Sequence, residues 1–332
     1  MKIKNNFFKK IPSFFLSDIT KVINSKPIKK KIKIVNISDL ASAKKNDISF
    51  FNSFKYSDLL KKTKAKYIIT NIKYSKFVSK FCFPIIVNNV LKAVGSVTNL
   101  FYPNALNDNV DLFVRSPNLK RFGKVKFGNN VLIGKNVIIG DNTVIGHNTI
   151  IESNVKIGSN CNIGSNVIIK YSLIGKNVRI MDGSIIGKKG FGFFPQENRN
   201  IRYPHIGLVI IDDNVEIGCN NTIDRGSISN TSIGKNTFLD NQVHIAHNVE
   251  IGKNCIITAQ VGFAGSSKVG DRVLIGGQAG ISGHLKIGNN VEIGGGSGVI
   301  RDIPDNSKVM GYPAKNFKDF LKENRWYIKL QL

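Results

Sequence analysis

From Phe127 an aliphatic or aromatic residue recurs at every sixth position: Phe127, Ile133, Ile139, Ile145, Ile151, Ile157, Ile163 and Ile169. The phase slips around "YSLIGKNVRIMDGS" and is then broken by a Gly- and aromatic-rich insertion over residues 188–208. It resumes at Ile233 and reaches Val299 without a miss, twelve hits in succession. A period of six matches neither the helical 3.6 nor the strand 2, but it does match very short strands alternating with turns. Let the aliphatic residue be position 1. Position 5 of the preceding hexad then lies two residues earlier, so both side chains point inward on one short strand. Positions 2 to 4, rich in Gly and Asn, form turns that need residues tolerant of left-handed backbone angles. Three hexads close one coil of 18 residues, and stacked coils pair in parallel at roughly 4.8 Å. The pattern predicts a mainly β chain, a three-sided parallel β-helix over 113–311 with an inserted loop at 188–208. Cys161 and Cys255 fall on inward position 5, where a small apolar residue fits the core.

Residues 1–112 lack the hexad. "KIKIVNISDLASAKKNDISFFN", "AKYIIT" and "FPIIVNN" have the composition of short strands, and "VLKAVGSVTNLFYP" that of a helix, which predicts a small separate α/β domain. After residue 311 the spacing turns helical: Phe317, Phe320, Leu321, Asn324 and Ile328 share a face, with Lys318, Lys322, Arg325 and Lys329 mostly elsewhere. Residues 312–332 therefore read as a basic amphipathic C-terminal helix.

The formal charge is +26, and residues 1–112 hold 21 Lys and no Arg against 6 Asp, hence +15. Such a field favours anionic partners, although Lys, Asn and Ile are abundant along the whole chain and general composition accounts for the excess equally well. Basic residues and aromatics are not interleaved along the hexads, which speaks against nucleic acid. The four cysteines lie far apart without a CxxC, as suits a reducing compartment. The N-terminus has no uninterrupted apolar core or small-residue cleavage site, and no stretch approaches a membrane span. These features together predict a soluble, cytoplasmic protein with peripheral membrane contact at most.

The chain has five histidines, and the hexad register sorts them. In "VHIAHNVEIG" His244 is position 6, outward on a flat face, whereas His247 is position 3, on the following corner. His284, position 4 of its hexad, lies 37 residues beyond His247, two coils and one residue. That places the two roughly 10 Å apart along nearly one edge, by two strand spacings. His147 also holds position 3 with nothing around it that suggests chemistry, so register alone does not make a histidine catalytic. A three-histidine zinc site is disfavoured because His244 and His247 do not converge from face and corner.

The window 221–288, together with "GFGF" (190–193), "PHIG" (204–207), "IDRG" (223–226), "DNQVHIAHNV" (240–249), "SGHL" (282–285) and "GYPA" (311–314), closely resembles the family of UDP-3-O-acylglucosamine N-acyltransferase, the third-step acyltransferase of lipid A biosynthesis. The resemblance spans essentially the whole chain and implies a left-handed parallel β-helix behind an N-terminal uridine-binding α/β domain. It also implies transfer of a 3-hydroxyacyl group from the phosphopantetheine thioester of acyl carrier protein to the 2-amine of a UDP-linked, 3-O-acylated glucosamine. No cofactor or metal is implied beyond the 4'-phosphopantetheine of the carrier. By resemblance His247 is the general base, Asp240 orients it, and the Gly265 backbone N–H holds the oxyanion, glycine there allowing a thioester to come close. His284 resembles a second family histidine that contacts the nucleotide sugar. "ISFFNSFKY" (48–56) is similar to the family's uracil-binding F-x-x-N-x-x-Y pattern: Phe50 and Tyr56 hold the aromatic positions, while Ser53 stands where asparagine is expected and Asn52 lies one residue early. The family assembles as a homotrimer with sites between subunits, and the basic tail would suit an acidic carrier protein. A β-helix N-acetyltransferase that uses acetyl-CoA on another nucleotide sugar is the alternative enzyme; a non-catalytic scaffold is the alternative outside enzymes.

Overall fold

A computed structural model describes residues 6–28, 31–196 and 199–324. The chain divides into two compact units, one comprising Met1–Asp108, Gly192–Ile206 and Ser227–Ser229, the other Asn109–Phe191, Gly207–Gly226 and Asn230–Leu332.

In the first unit four parallel strands form one sheet, in the order Asn36–Ile37, Asp47–Phe50, Tyr67–Thr70 and Phe83–Ile86. Helices α1 (Leu16–Val22), α2 (Ser57–Lys62), α3 (Ile72–Val78) and α4 (Val90–Phe101) connect and cover it. Asn71 and Asn89 cap α3 and α4 through side-chain oxygens that accept from Tyr74 and Lys92. The sequence assigns the whole 188–208 insertion to the coiled domain, whereas Gly192–Ile206 belongs to this first unit. Its hairpin, Phe193–Gln196 against Arg199–Arg202, packs on α4. A Cβ at Gly95 of α4 would stand 3.0 Å from Phe194 Cζ and 3.5 Å from the Tyr203 ring, so the bare glycine admits both aromatics. Burial pushes the Tyr203 phenol well above its usual range. The domain boundary also falls earlier than residue 112. Asp111 accepts from Ser153 N–H at 2.8 Å, which ties it to the coils, and its carboxyl is held below the usual range as these donors outweigh its desolvation.

The second unit is a parallel β-helix of two- to five-residue strands in three sheets of eleven, nine and eight strands, the eleven-strand sheet ending in an antiparallel strand. Its regular register is 18 residues, as in Val144↔Asn162 and His244↔Gly262. Positions 1 and 5 fill the core, for example Ile257, Val261 and Cys255. Threonines at position 5 keep their hydroxyls satisfied inside: Thr237 Oγ1 donates to Gly252 O at 2.8 Å. Burial pushes the Cys161 and Cys255 thiols up.

The turn divides its work more finely than the composition suggested. The left-handed angle belongs to position 4, filled mostly by asparagine rather than glycine: φ is 57° at Asn130, 56° at Asn136 and 61° at Asn142. These amides bond from coil to coil, Asn177 to Asn214 at 2.9 Å and Asn214 to Asn236 at 3.0 Å. Glycine at position 2 serves close approach instead. A Cβ on Gly146 would lie 2.5 Å from the carbonyl carbon of Gly164 in the next coil, and backbone cannot yield as a side chain does. Gly146→Ala is therefore expected to lower stability by about 1–3 kcal/mol, an overpacking cost, read as a lower urea midpoint at unchanged slope.

The tail departs from a simple helix. Lys315–Asn316 pair antiparallel with Lys308–Met310, and α5 (Phe317–Glu323) begins only after Asn316, whose side chain accepts from Lys318 N–H. Phe317 and Leu321 are exposed, and Arg325, Ile328 and Lys329 lie outside the described residues. Among the described residues no helix is long and apolar enough to cross a membrane.

Candidate functional site

His247 stands half-buried on the corner between the nine-strand and eight-strand sheets, just after strand His244–Ile245. Ser266 N–H donates to His247 O at 3.0 Å, and His284 N–H donates to Gly265 O at 3.0 Å. These bonds stack three corners in one column: 247–248, 265–266 and 283–284. His284 sits there with φ 60°, exposed, two coils beyond His247, so the spacing expected from the register holds.

The imidazole is fixed from two sides. Its Nδ1 lies 2.9 Å from Asn248 Oδ1, and Asn248, buried with φ 62°, is anchored by its own N–H donating to Thr231 Oγ1 at 2.9 Å. An amide oxygen only accepts, so in the neutral ring this contact selects the tautomer with its proton on Nδ1 and its lone pair on Nε2. On the other side the ring lies over Gly265: a Cβ there would be 2.8 Å from His247 Cε1 and 2.9 Å from Nε2. The missing side chain at 265 thus makes room for the imidazole itself, a reason the sequence did not show. His147, also at position 3, behaves differently. Its Nδ1 accepts from Asn129 N–H at 2.9 Å in the preceding coil, which turns the ring away from the next one.

Gly265 has a second property. Repeatedly along the helix, a position-3 N–H donates to the position-3 side chain one coil on, as Lys135 does to Ser153 Oγ at 2.9 Å and Lys253 to Asp271 Oδ1 at 2.8 Å. Among the described residues the Gly265 N–H has no such acceptor. A fixed, uncommitted donor therefore stands beside a fixed imidazole lone pair.

The structure does not bring Asp240 to His247 within one chain. Asp240 follows strand Phe238–Leu239 of the eleven-strand sheet, one corner earlier, and is exposed. Its Oδ1 accepts from Asn241 Nδ2 at 2.8 Å. Seven residues exceed one hexad by one, so the two side chains necessarily leave from different edges. Asn248 was missed as a site residue, although it stands in the quoted "AHNV". His244 points outward from the face, as its register requires, with Nδ1 2.7 Å from Thr222 Oγ1. The "IDRG" residues Asp224 and Arg225 are fully buried: Lys188 Nζ pairs with Asp224 Oδ1 at 2.7 Å, and the Arg225 guanidinium lies 4.1 Å from the Tyr171 ring centre. They hold the coil that pairs with strand His244–Ile245. Among the described residues no three His, Cys, Asp or Glu form a metal-ligand set.

In the first unit Phe50 ends its strand half-buried, and its neighbour Phe51 takes the core place beside Leu60 and Ile68. Ser53 caps the turn Phe54–Tyr56, its Oγ accepting from Lys55 N–H at 3.3 Å. The half-buried Asn52 side chain makes no hydrogen bond among the described residues. Tyr56 packs against the core while Phe54 stands exposed, 5.0 Å from the Tyr74 ring.

Comparison with known proteins decides the family. Bacterial transferase hexapeptide repeats match residues 124–158, 136–171 and 230–265, and the model of UDP-3-O-(3-hydroxymyristoyl) glucosamine N-acyltransferase, LpxD, matches residues 31–100. "UDP-3-O-acylglucosamine N-acyltransferase 2" of Legionella pneumophila (strain Paris) is 42% identical over 329 residues, 96% of this chain and 95% of its own length. The chain belongs to the UDP-3-O-acylglucosamine N-acyltransferase family. The family member of Caulobacter vibrioides (strain NA1000 / CB15N) is 45% identical over 163 residues; the match spans 49% of this chain and about half of that relative, 48%. Among solved structures, a UDP-N-acetylglucosamine acyltransferase from Campylobacter jejuni superposes with a TM-score of 0.52 at 26% identity, covering 57% of this chain and 73% of that one. Family and neighbour together make this helix a left-handed one, as the resemblance implied.

Proposed function

We propose that the chain moves a 3-hydroxyacyl group from acyl carrier protein to the 2-amine of a UDP-linked, 3-O-acylated glucosamine. One observation carries the reading: the His247 ring lies over Gly265 with Nε2 as its lone-pair nitrogen, next to an unclaimed backbone donor. Amine nitrogen attacks the thioester carbonyl carbon and its proton passes to Nε2. As the new C–N bond forms, the carbonyl π pair moves onto oxygen, and that oxyanion is held by the Gly265 N–H. Collapse then expels the thiolate, which takes the proton back from the imidazolium. Asn248, by accepting from Nδ1, keeps Nε2 as the nitrogen that takes up and returns the proton.

Asp240 enters this reading only through assembly. A corner that faces away from His247 in its own chain can face it from an adjacent chain of a homotrimer. His284, exposed two coils on in the same column, is the second histidine offered to the nucleotide sugar. Phe50 and Tyr56 are the rings offered to uracil, and Asn52, whose amide is uncommitted, suits base reading better than Ser53, whose oxygen serves the cap. Lys318 and Lys322 on α5 are exposed and suit an acidic carrier.

The test is turnover of the purified full chain with 3-hydroxyacyl carrier protein, against acetyl-CoA, followed by mass spectrometry of the product. Amide formation only with the carrier thioester supports the reading; acylation only from acetyl-CoA replaces it with the acetyltransferase alternative. Phe50→Ala is expected to raise the nucleotide-sugar KM about tenfold while kcat changes less, since stacking contributes mostly ground-state binding. An unchanged KM takes Phe50 out of the pocket.

A further inference from the structure

We propose that Gly283 is a positioning residue whose missing side chain keeps the Gly265 N–H open to the substrate. The inference rests on the reading above and deepens it. At several corners of this helix a position-3 N–H is taken by the position-3 side chain one coil further on, although Ser153 N–H goes to Asp111 instead. His147 N–H is taken by Ser165 Oγ at 3.1 Å, Asp271 N–H by Asn289 Oδ1 at 2.8 Å, and Asn289 N–H by Asp305 Oδ1 at 2.8 Å. A short oxygen-bearing side chain is thus one way in which the stack consumes that donor, though not at every corner: Ser159, one coil beyond Asp141, takes no bond from the Asp141 N–H among the described residues. One coil beyond Gly265 in the same column is Gly283.

Backbone geometry does not demand glycine there. Gly283 lies outside the left-handed region, and a Cβ would meet Gly265 O at 3.1 Å and Gly265 N at 4.0 Å, a tight contact that the Gly265 carbonyl must relieve by a shift of a few tenths of an ångström. A Cβ there would stand over the Gly265 peptide, so a hydroxyl one bond further out is within hydrogen-bonding reach of its N–H. Serine is a natural occupant of position 3, as Ser153 and Ser165 show. At this one corner it would convert the oxyanion donor into an ordinary rung of the stack. Glycine at 283 thus has a chemical reason, whereas glycine at position 2 elsewhere has a steric one.

Two variants separate chemistry from sterics. Gly283→Ala adds the Cβ without an acceptor, and Gly283→Ser adds both. Serine is expected to lower kcat about 100-fold, the loss typical of one oxyanion donor, with KM for both substrates within threefold and a thermal midpoint close to that of the alanine variant, which carries the same Cβ contact. Alanine, the conservative variant, is expected to lose less than about fivefold. Amide exchange at Gly265, followed by NMR or mass spectrometry, should slow in the serine variant and not in the alanine variant. Equal kcat in the two variants, or a Gly265 amide already protected in the wild type, overturns the proposal. A wild-type chain without acyl transfer, together with the expected exchange pattern, defeats the catalytic reading and leaves the hydrogen-bond assignment standing.

Discussion

His247→Ala is expected to lower kcat by about 10³-fold, within the range for loss of a positioned general base. KM for the nucleotide sugar should move far less, because the proton is taken only as the amine attacks. The fold should not notice the change. His247 is half-buried on a corner, its φ is ordinary, and the bond that joins it to the next coil runs from its backbone carbonyl to Ser266 N–H. A thermal midpoint within a degree or two of wild type, together with the lost turnover, is the combined result to look for. Near-normal kcat would remove the imidazole from the chemistry, whatever its geometry.

The second large effect is at the residue the ring rests on. Gly265→Ala is expected to lower kcat by about 100-fold, because a methyl group would stand 2.8 Å from Cε1 and 2.9 Å from Nε2 and the imidazole must swing away. A misplacement of about an ångström costs on this scale when proton transfer depends on alignment. Gly265 is not in the left-handed region, so alanine is tolerated by the backbone and stability should stay close to wild type. The sharper readout is coupling. If alanine acts by displacing the ring, the double variant lacking His247 should be no slower than His247→Ala alone. Additive losses would mean that residue 265 acts independently of the imidazole.

Much of this was legible in the hexad. Inward and outward positions, the 18-residue register, the outward course of His244 and the two-coil separation of His247 from His284 all follow from counting. So does the failure of Asp240 to meet His247 in one chain, since a seven-residue gap crosses a corner, whereas the family likeness pairs the two residues without regard to which chain supplies each. The partner of Nδ1 was not legible, because it depends on the left-handed angle at Asn248 carrying an amide oxygen back onto its own neighbour. Nor was the docking of the 193–202 hairpin on α4, a contact about a hundred residues distant in sequence that no local period encodes. The helices α1, α2 and α3, of seven, six and seven residues, went unpredicted because they span no more than two turns, too little for a 3.6-residue period to register.

The antiparallel turn-back of Lys315–Asn316 onto Lys308–Met310 has a colloidal consequence. A coil stacked in one direction is a polymer template: its last strand exposes unpaired peptide groups on which another copy could continue the ladder. Reversing the chain there covers that row with a strand of the wrong polarity for propagation. On this sheet the molecule supplies its own terminator against end-to-end fibre growth.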